Sequence, residues 1–115
     1  DVEGEELNVM KGASRTIKKF RPVIFFEALE ESNWRDCYKY LAERDYSMYW
    51  VVSRVNPISH KTFKESKVHP FNDTASFNII SIPNEKEQPT DLAPVTPDEW
   101  YHELVKRIRQ YRLVL

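Results

Sequence analysis

The feature that most constrains this chain is a change of hydrophobic period at Pro22. Before it, Leu7, Met10, Ala13, Ile17 and Phe20 recur at three- and four-residue steps, which predicts one amphipathic helix over residues 5–20. After it, Val23, Ile24, Phe25 and Phe26 follow one another with no polar residue between them. Proline cannot continue a helix, and an unbroken apolar run predicts a strand covered on both faces, the kind found in parallel sheets. With the elements that follow it, the order helix, strand, helix, strand, loop, strand, helix is the pattern of an α/β layered domain. The charges agree: Asp1, Glu3, Glu5 and Glu6 crowd the N-terminal end of the helix, and Lys18, Lys19 and Arg21 the other, as the helix dipole favours.

The rest of the chain repeats the alternation. Trp34, Cys37, Tyr38 and Leu41 share one face of a second helix over residues 33–44, with Ser32 or Asn33 as N-cap. Residues 46–52 are aromatic and β-branched and predict a strand. Residues 53–75 carry Asn56, Pro57, Ser59, His60, Pro70, Asn72 and Asp73 without steady period and read as a long loop. Loops of this length usually bind something or move. Residues 77–82 predict a third strand, ended by Pro83. Residues 85–94 read as a polar linker across the surface. Thr96, Pro97 and Glu99 then stand where a cap, a first helical residue and a capping-box partner belong, opening a helix to about residue 112 with Trp100, Leu104, Ile108 and Tyr111 on one face.

With 115 residues the chain has room for one core, and uncovered apolar surface weighs heavily on a domain this small. A formal net charge of -1, from 17 basic and 18 acidic residues spread along the sequence, gives no footprint for nucleic acid or an anionic membrane. The densest basic stretch, Lys106, Arg107, Arg109 and Arg112, lies beside Glu99 and Glu103 and reads as a solvated helix face. Cys37 is the only cysteine, which excludes an intrachain disulfide, and no apolar run approaches the roughly 18 residues of a membrane span. A cytoplasmic location is the default expectation. The sequence opens at Asp1 without an initiator methionine, and an excerpt of a longer protein is expected.

Two blocks carry a family resemblance. Asp1-Val2-Glu3-Gly4, then Glu6-Leu7-Asn8-Val9-Met10-Lys11-Gly12-Ala13, then Arg21-Pro22-Val23-Ile24-Phe25-Phe26-Glu27 resemble, in order and spacing, the middle of FkbM-type methyltransferase domains. There an acidic turn follows a strand, a helix carries Leu and Lys-Gly-Ala, and the next strand begins Arg-Pro and ends in Glu. Asn78-Ile79-Ile80-Ser81-Ile82-Pro83 resembles the family's last strand. The resemblance implies the C-terminal half of a Rossmann-like methyltransferase fold: about three strands, the last one antiparallel, with three main helices. It also implies that residues 77–82 lie antiparallel between the strand at 23–27 and the one at 46–52. The cofactor implied is S-adenosylmethionine, and the acceptor a hydroxyl of a small molecule or sugar. The family's Gly-rich cofactor turn belongs to the other half of its domain; this chain holds two glycines, Gly4 and Gly12, and no Gly-rich run, so tight cofactor binding and activity are not expected of it alone.

Methyl transfer to oxygen needs the donor held in line, water excluded and a base for the hydroxyl proton. In a parallel arrangement Asp1, Glu3 and Glu27 project toward the rim where open α/β sheets bind ligands, which makes them the candidate catalytic carboxylates. Asp1 and Gly4 are the candidate cofactor contacts, Gly4 through its backbone conformation. The bland counterpart is that Glu3 and Glu5 complement a helix N-terminus and Glu27 is a solvated strand end. His69 and Asn72, with His60, are the loop residues placed to line an acceptor pocket; exposed loop side chains are the plain alternative. No spacing suggests a metal site. Cys37 falls on the buried face of its helix and reads as core. Tyr46, Tyr49 and Trp50 read as strand packing, because no basic residues interleave with them. The rival function is a non-catalytic α/β interaction module. Under either, an uncovered edge at residues 23–26 predicts self-association.

Overall fold

The computed structural model describes residues 2, 4–28, 33–54 and 75–98. Three helices lie with a three-stranded antiparallel sheet: α1 (Glu6–Gly12), α2 (Ser14–Phe20), β1 (Ile24–Glu27), α3 (Trp34–Ala42), β2 (Tyr46–Arg54) and β3 (Ala75–Pro83). The strand order is β1-β3-β2, with β3 antiparallel to both neighbours, as the resemblance implied. Because β1 and β2 both oppose β3, they run in the same direction. The C-terminal ends of β1 and β2 and the start of β3 therefore share one rim.

Alternation sorts the sheet into two faces. Phe26 pairs with Ile79, which pairs with Trp50; Val52 faces Phe77, and Met48 faces Ser81. These residues are buried on one face, together with Met10 and Ile17 of the first two helices and Trp34, Cys37, Tyr40 and Leu41 of α3. Trp50 meets the rings of Trp34 at 5.2 Å and Phe77 at 6.4 Å, both edge to face. The indole Nε1 of Trp50 and the hydroxyl of Ser81 are buried with no hydrogen-bond partner among the described residues.

The helix expected over residues 5–20 turns at Ala13 into two seven-residue pieces, with Gly12 and Ser14, both weak helix formers, flanking the break. Phe20 does not join the buried stripe and is 66% exposed. At about 100° per residue it falls about 80° round the helix from Met10, too far toward the flank. Lys19 Nζ lies 5.2 Å from its ring instead.

The strand at 23–26 is not covered on both faces. Ile24 and Phe26 turn toward the helices, whereas Val23 is 48% and Phe25 58% exposed. Its neighbour is the antiparallel β3, and no described strand lies on its other side. An apolar run places side chains on both faces, but covering the second face needs a second layer, and no described element shields it at these two positions.

The stretch 85–94 is not wholly a surface linker. Trp50 N–H donates to Ala93 O (2.8 Å) and Val95 N–H to Met48 O (2.9 Å), so residues 93–95 pair along the outer edge of β2. Ala93 and Val95 are buried. Gln88 accepts from the Tyr49 hydroxyl and donates to Pro83 O, holding the intervening loop against the sheet.

At the rim opposite the shared one, Arg21 ends α2 in a left-handed conformation (φ 49°). Its guanidinium donates to Arg44 O (2.6 Å), Asp45 O (3.0 Å) and both oxygens of Glu85 (2.8 and 3.1 Å), and lies over the Tyr46 ring. The Tyr46 hydroxyl donates to Pro22 O. These bonds tie the end of α2, the start of β2 and the turn after β3 into one corner. The Glu85 carboxyl is held down at about 2, chiefly by its hydrogen bonds from Arg21.

Candidate functional site

The shared rim begins with the turn that enters α1. Glu5 N–H donates to Val2 O (3.2 Å), closing a four-residue turn whose third residue, Gly4, has φ +94°. An L side chain is strained there even though nothing lies within 4 Å of where its Cβ would sit. Both groups of the Gly4 residue are engaged: its N–H donates to Glu6 Oε1 (3.2 Å), and its carbonyl accepts from Asn33 Nδ2 (3.2 Å). Gly4 therefore shapes the turn, with its N–H already committed.

Asn33 stands just before α3. It occupies the expected N-cap position, but its side chain does not cap the helix. It reaches across to Gly4, and its Oδ1 lies 3.9 Å from the Cys37 thiol. The first turns of α1 and α3 are thus joined by one amide. Cys37 is fully buried, and burial, aided by the charges of Glu6 and Asp36, pushes its thiol up to about 11, so it is packed and inert at neutral pH.

Glu27 ends β1 at this same rim, half-buried, directly opposite Asn78 of β3, which in turn faces Val51 of β2. Asn78 Nδ2 donates to Ser76 Oγ (3.1 Å). Ala28 N–H donates to Phe77 O (2.8 Å) and carries the ladder one residue past the strand. The structure thus brings Gly4 and Glu27 to one rim, α1 and α3 both starting there. Asp1, Glu3, His60, His69 and Asn72 lie outside the described residues. Asn33 was legible only as a cap; no periodicity marks an amide that bridges two helices. Among the described residues, no group of three His, Cys, Asp or Glu side chains is gathered that could hold a metal, and no helix is long and apolar enough to cross a membrane.

The Gly4 turn, α1, α2, Arg21-Pro22, β1 ending in Glu27 and α3 follow one another as a single ordered block. Residues 1–48 match the methyltransferase FkbM domain. The FkbM match thus covers this whole block and ends at Met48, inside β2. The second resembling block, residues 78–83, lies beyond it. Neither the curated proteins nor the solved structures contain a significant match to the chain. A methyltransferase family is therefore the class to which the matched segment points, and the three-stranded α/β architecture is compatible with part of such a domain.

Proposed function

We propose that this chain is the C-terminal half of a Rossmann-like, S-adenosylmethionine-dependent methyltransferase domain that methylates a hydroxyl of a small molecule or sugar. One observation carries it: the FkbM match covers both the Gly4 turn and Glu27, and the fold sets these two at one rim. The insertion of antiparallel β3 between β1 and β2 supports the same reading.

The described residues do not fit a cofactor cradle. Gly4 N–H is already donated to Glu6, and no run of glycines offers free amides. We assign cofactor binding to segments of the complete domain other than these, with Asp1 as the candidate contact from this chain. What this rim offers is a carboxylate. We propose Glu27, with Asp1 and Glu3 as the further candidates, as the base that accepts the acceptor hydroxyl's proton. His69 and Asn72 are the proposed acceptor contacts from the long loop.

Calorimetry tests the assignment. The 115-residue chain is expected to show no tight binding of S-adenosylmethionine, and the complete domain to bind it. In that complete domain Glu27→Gln should lower kcat by about 10²-fold or more if Glu27 is the base. Clear cofactor binding by the short chain would contradict the placement, and absence of binding by the complete domain would favour a non-catalytic interaction module.

A further inference from the structure

We propose that Asn78 is a specificity-determining residue at the same rim: its side-chain amide binds a second hydroxyl of the acceptor, next to the one that faces Glu27. This rests on the reading of Glu27 as the base. It assigns the acceptor to compounds with two neighbouring hydroxyls, the vicinal diols of sugars and related polyols.

The ladder sets the two side chains together. Glu27 stands opposite Asn78, and at the next step Ala28 N–H donates to Phe77 O. Antiparallel pairs alternate, so 28 and 77 are a hydrogen-bonded pair and Glu27 and Asn78 a non-hydrogen-bonded one. In such a pair the Cα atoms stand about 4.5 Å apart, and both side chains leave the same face of the sheet. The backbone groups of Asn78 turn instead to Val51, its partner on β2.

Asn78 therefore sits on the central strand, held by β1 on one side and β2 on the other. Groups carried on paired strands keep their spacing better than groups carried on loops. Packing alone asks for no amide here, since Phe77, Ile79, Ile80 and Ile82 around it are apolar.

Hydrogen-bonding capacity gives the amide its role. An ionised carboxylate only accepts, so Glu27 serves a hydroxyl's proton and offers no donor. A carboxamide carries two donors and an acceptor. Asn78 Nδ2 gives one N–H to Ser76 Oγ (3.1 Å), two residues earlier on the same strand face, which fixes the plane of the amide. Its other N–H and Oδ1 are left to meet a ligand. A hydroxyl both donates and accepts, and so matches them. An acceptor with one isolated hydroxyl engages the carboxylate alone and leaves the amide unmatched once water is excluded, which a polar site penalises. A carboxylate and an amide held side by side thus fit hydroxyls on adjacent carbons.

Titration of the complete domain with methyl glucoside, methyl galactoside and methyl mannoside, followed by NMR on the Asn78 side-chain amide, is the test. At least one glycoside should shift that amide, and its analogue lacking one of two neighbouring hydroxyls should bind about ten-fold or more weakly. Asn78→Leu should weaken the parent glycoside by a similar factor and leave the deoxy analogue within about two-fold, whereas a side chain that only steadies the strand would weaken both alike. Glu27→Gln separates this contact from the reading beneath it. Methyl transfer from S-adenosylmethionine to the bound glycoside should fall by about 10²-fold or more in that variant, while the Asn78 shift persists. An amide unmoved by all three glycosides, or equal losses for parent and deoxy analogue in Asn78→Leu, overturns the second contact even where Glu27→Gln is inactive. Undiminished transfer by Glu27→Gln overturns the base, and the pairing with it.

Discussion

The sheet ends differently on its two sides. On the β2 side, residues 93–95 bond to Trp50 and Met48 and bury Ala93 and Val95 in the core. On the β1 side no described strand follows, and Val23 and Phe25 stand exposed. Both edges are apolar in sequence. Among the described residues, what separates them is whether a neighbouring segment supplies complementary backbone groups and an apolar residue for the inner face. The open edge belongs to the residues that match the FkbM domain, and the closing segment lies outside that match.

The largest effect that would sharpen the contrast comes from comparing two aromatics. Trp50→Ala removes a 4%-exposed ring packed on Trp34 and Phe77 and should cost about 3–5 kcal/mol, enough to abolish a cooperative thermal transition. Phe25→Ala on the open side should stay within about 0.5 kcal/mol. Equal losses in the two melts would show that the β1 face is covered after all.

Opening the closed edge comes next. Val95→Pro deletes the N–H that bonds Met48 O and should cost about 2 kcal/mol by denaturant unfolding, while leaving Trp50 N–H exposed to fast exchange. If Trp50 N–H stays protected in that variant, residues 93–95 do not seal the strand.

A smaller change probes the matched rim. Gly4→Ala forces a side chain onto φ +94° and should destabilise by about 1 kcal/mol, with the loss concentrated in the Asn33 contact seen by amide chemical shifts. No loss at all would mean the turn relaxes freely and does not position the rim.

The smallest effect concerns the corner at the opposite rim. Glu85 has a carboxyl pKa of about 2 against an ordinary 4.5. A depressed folded value means that its contribution is full above about 4.5 and is lost as pH falls through about 2. Glu85 is exposed, so the change in melting temperature over that window should be slight and screened by salt. Glu85→Gln should remove it, and an unchanged acid limb in that variant would assign it elsewhere.

Much of this architecture was written in local patterns. The helical stripe through Met10 and Ile17, the helix from Trp34 and the strands around Trp50 and Ile79 all follow from periodicity. The placement of β3 between β1 and β2 did not; it came from the family resemblance, since no local pattern states which strands pair. Ala93 and Val95 were illegible because Leu92-Ala93-Pro94-Val95, a short apolar stretch interrupted by proline, looks like linker until an edge needs closing. Phe25 misled for the converse reason: hydrophobicity records a preference for cover, not its presence. At the candidate site, Gly4 and Glu27 were visible through the family motif, whereas Asn33 and the Arg21 corner depend on side chains that meet only after α1, α3 and β3 have packed.

Amide hydrogen exchange on a dilute sample reads both edges in one experiment. Trp50 and Val95 should exchange slowly, at rates set by cooperative opening, and Phe25 and Glu27 close to the unprotected rate. Protection of Phe25 equal to that of Trp50 under those conditions would contradict an open β1 edge and the placement of the matched rim beside it.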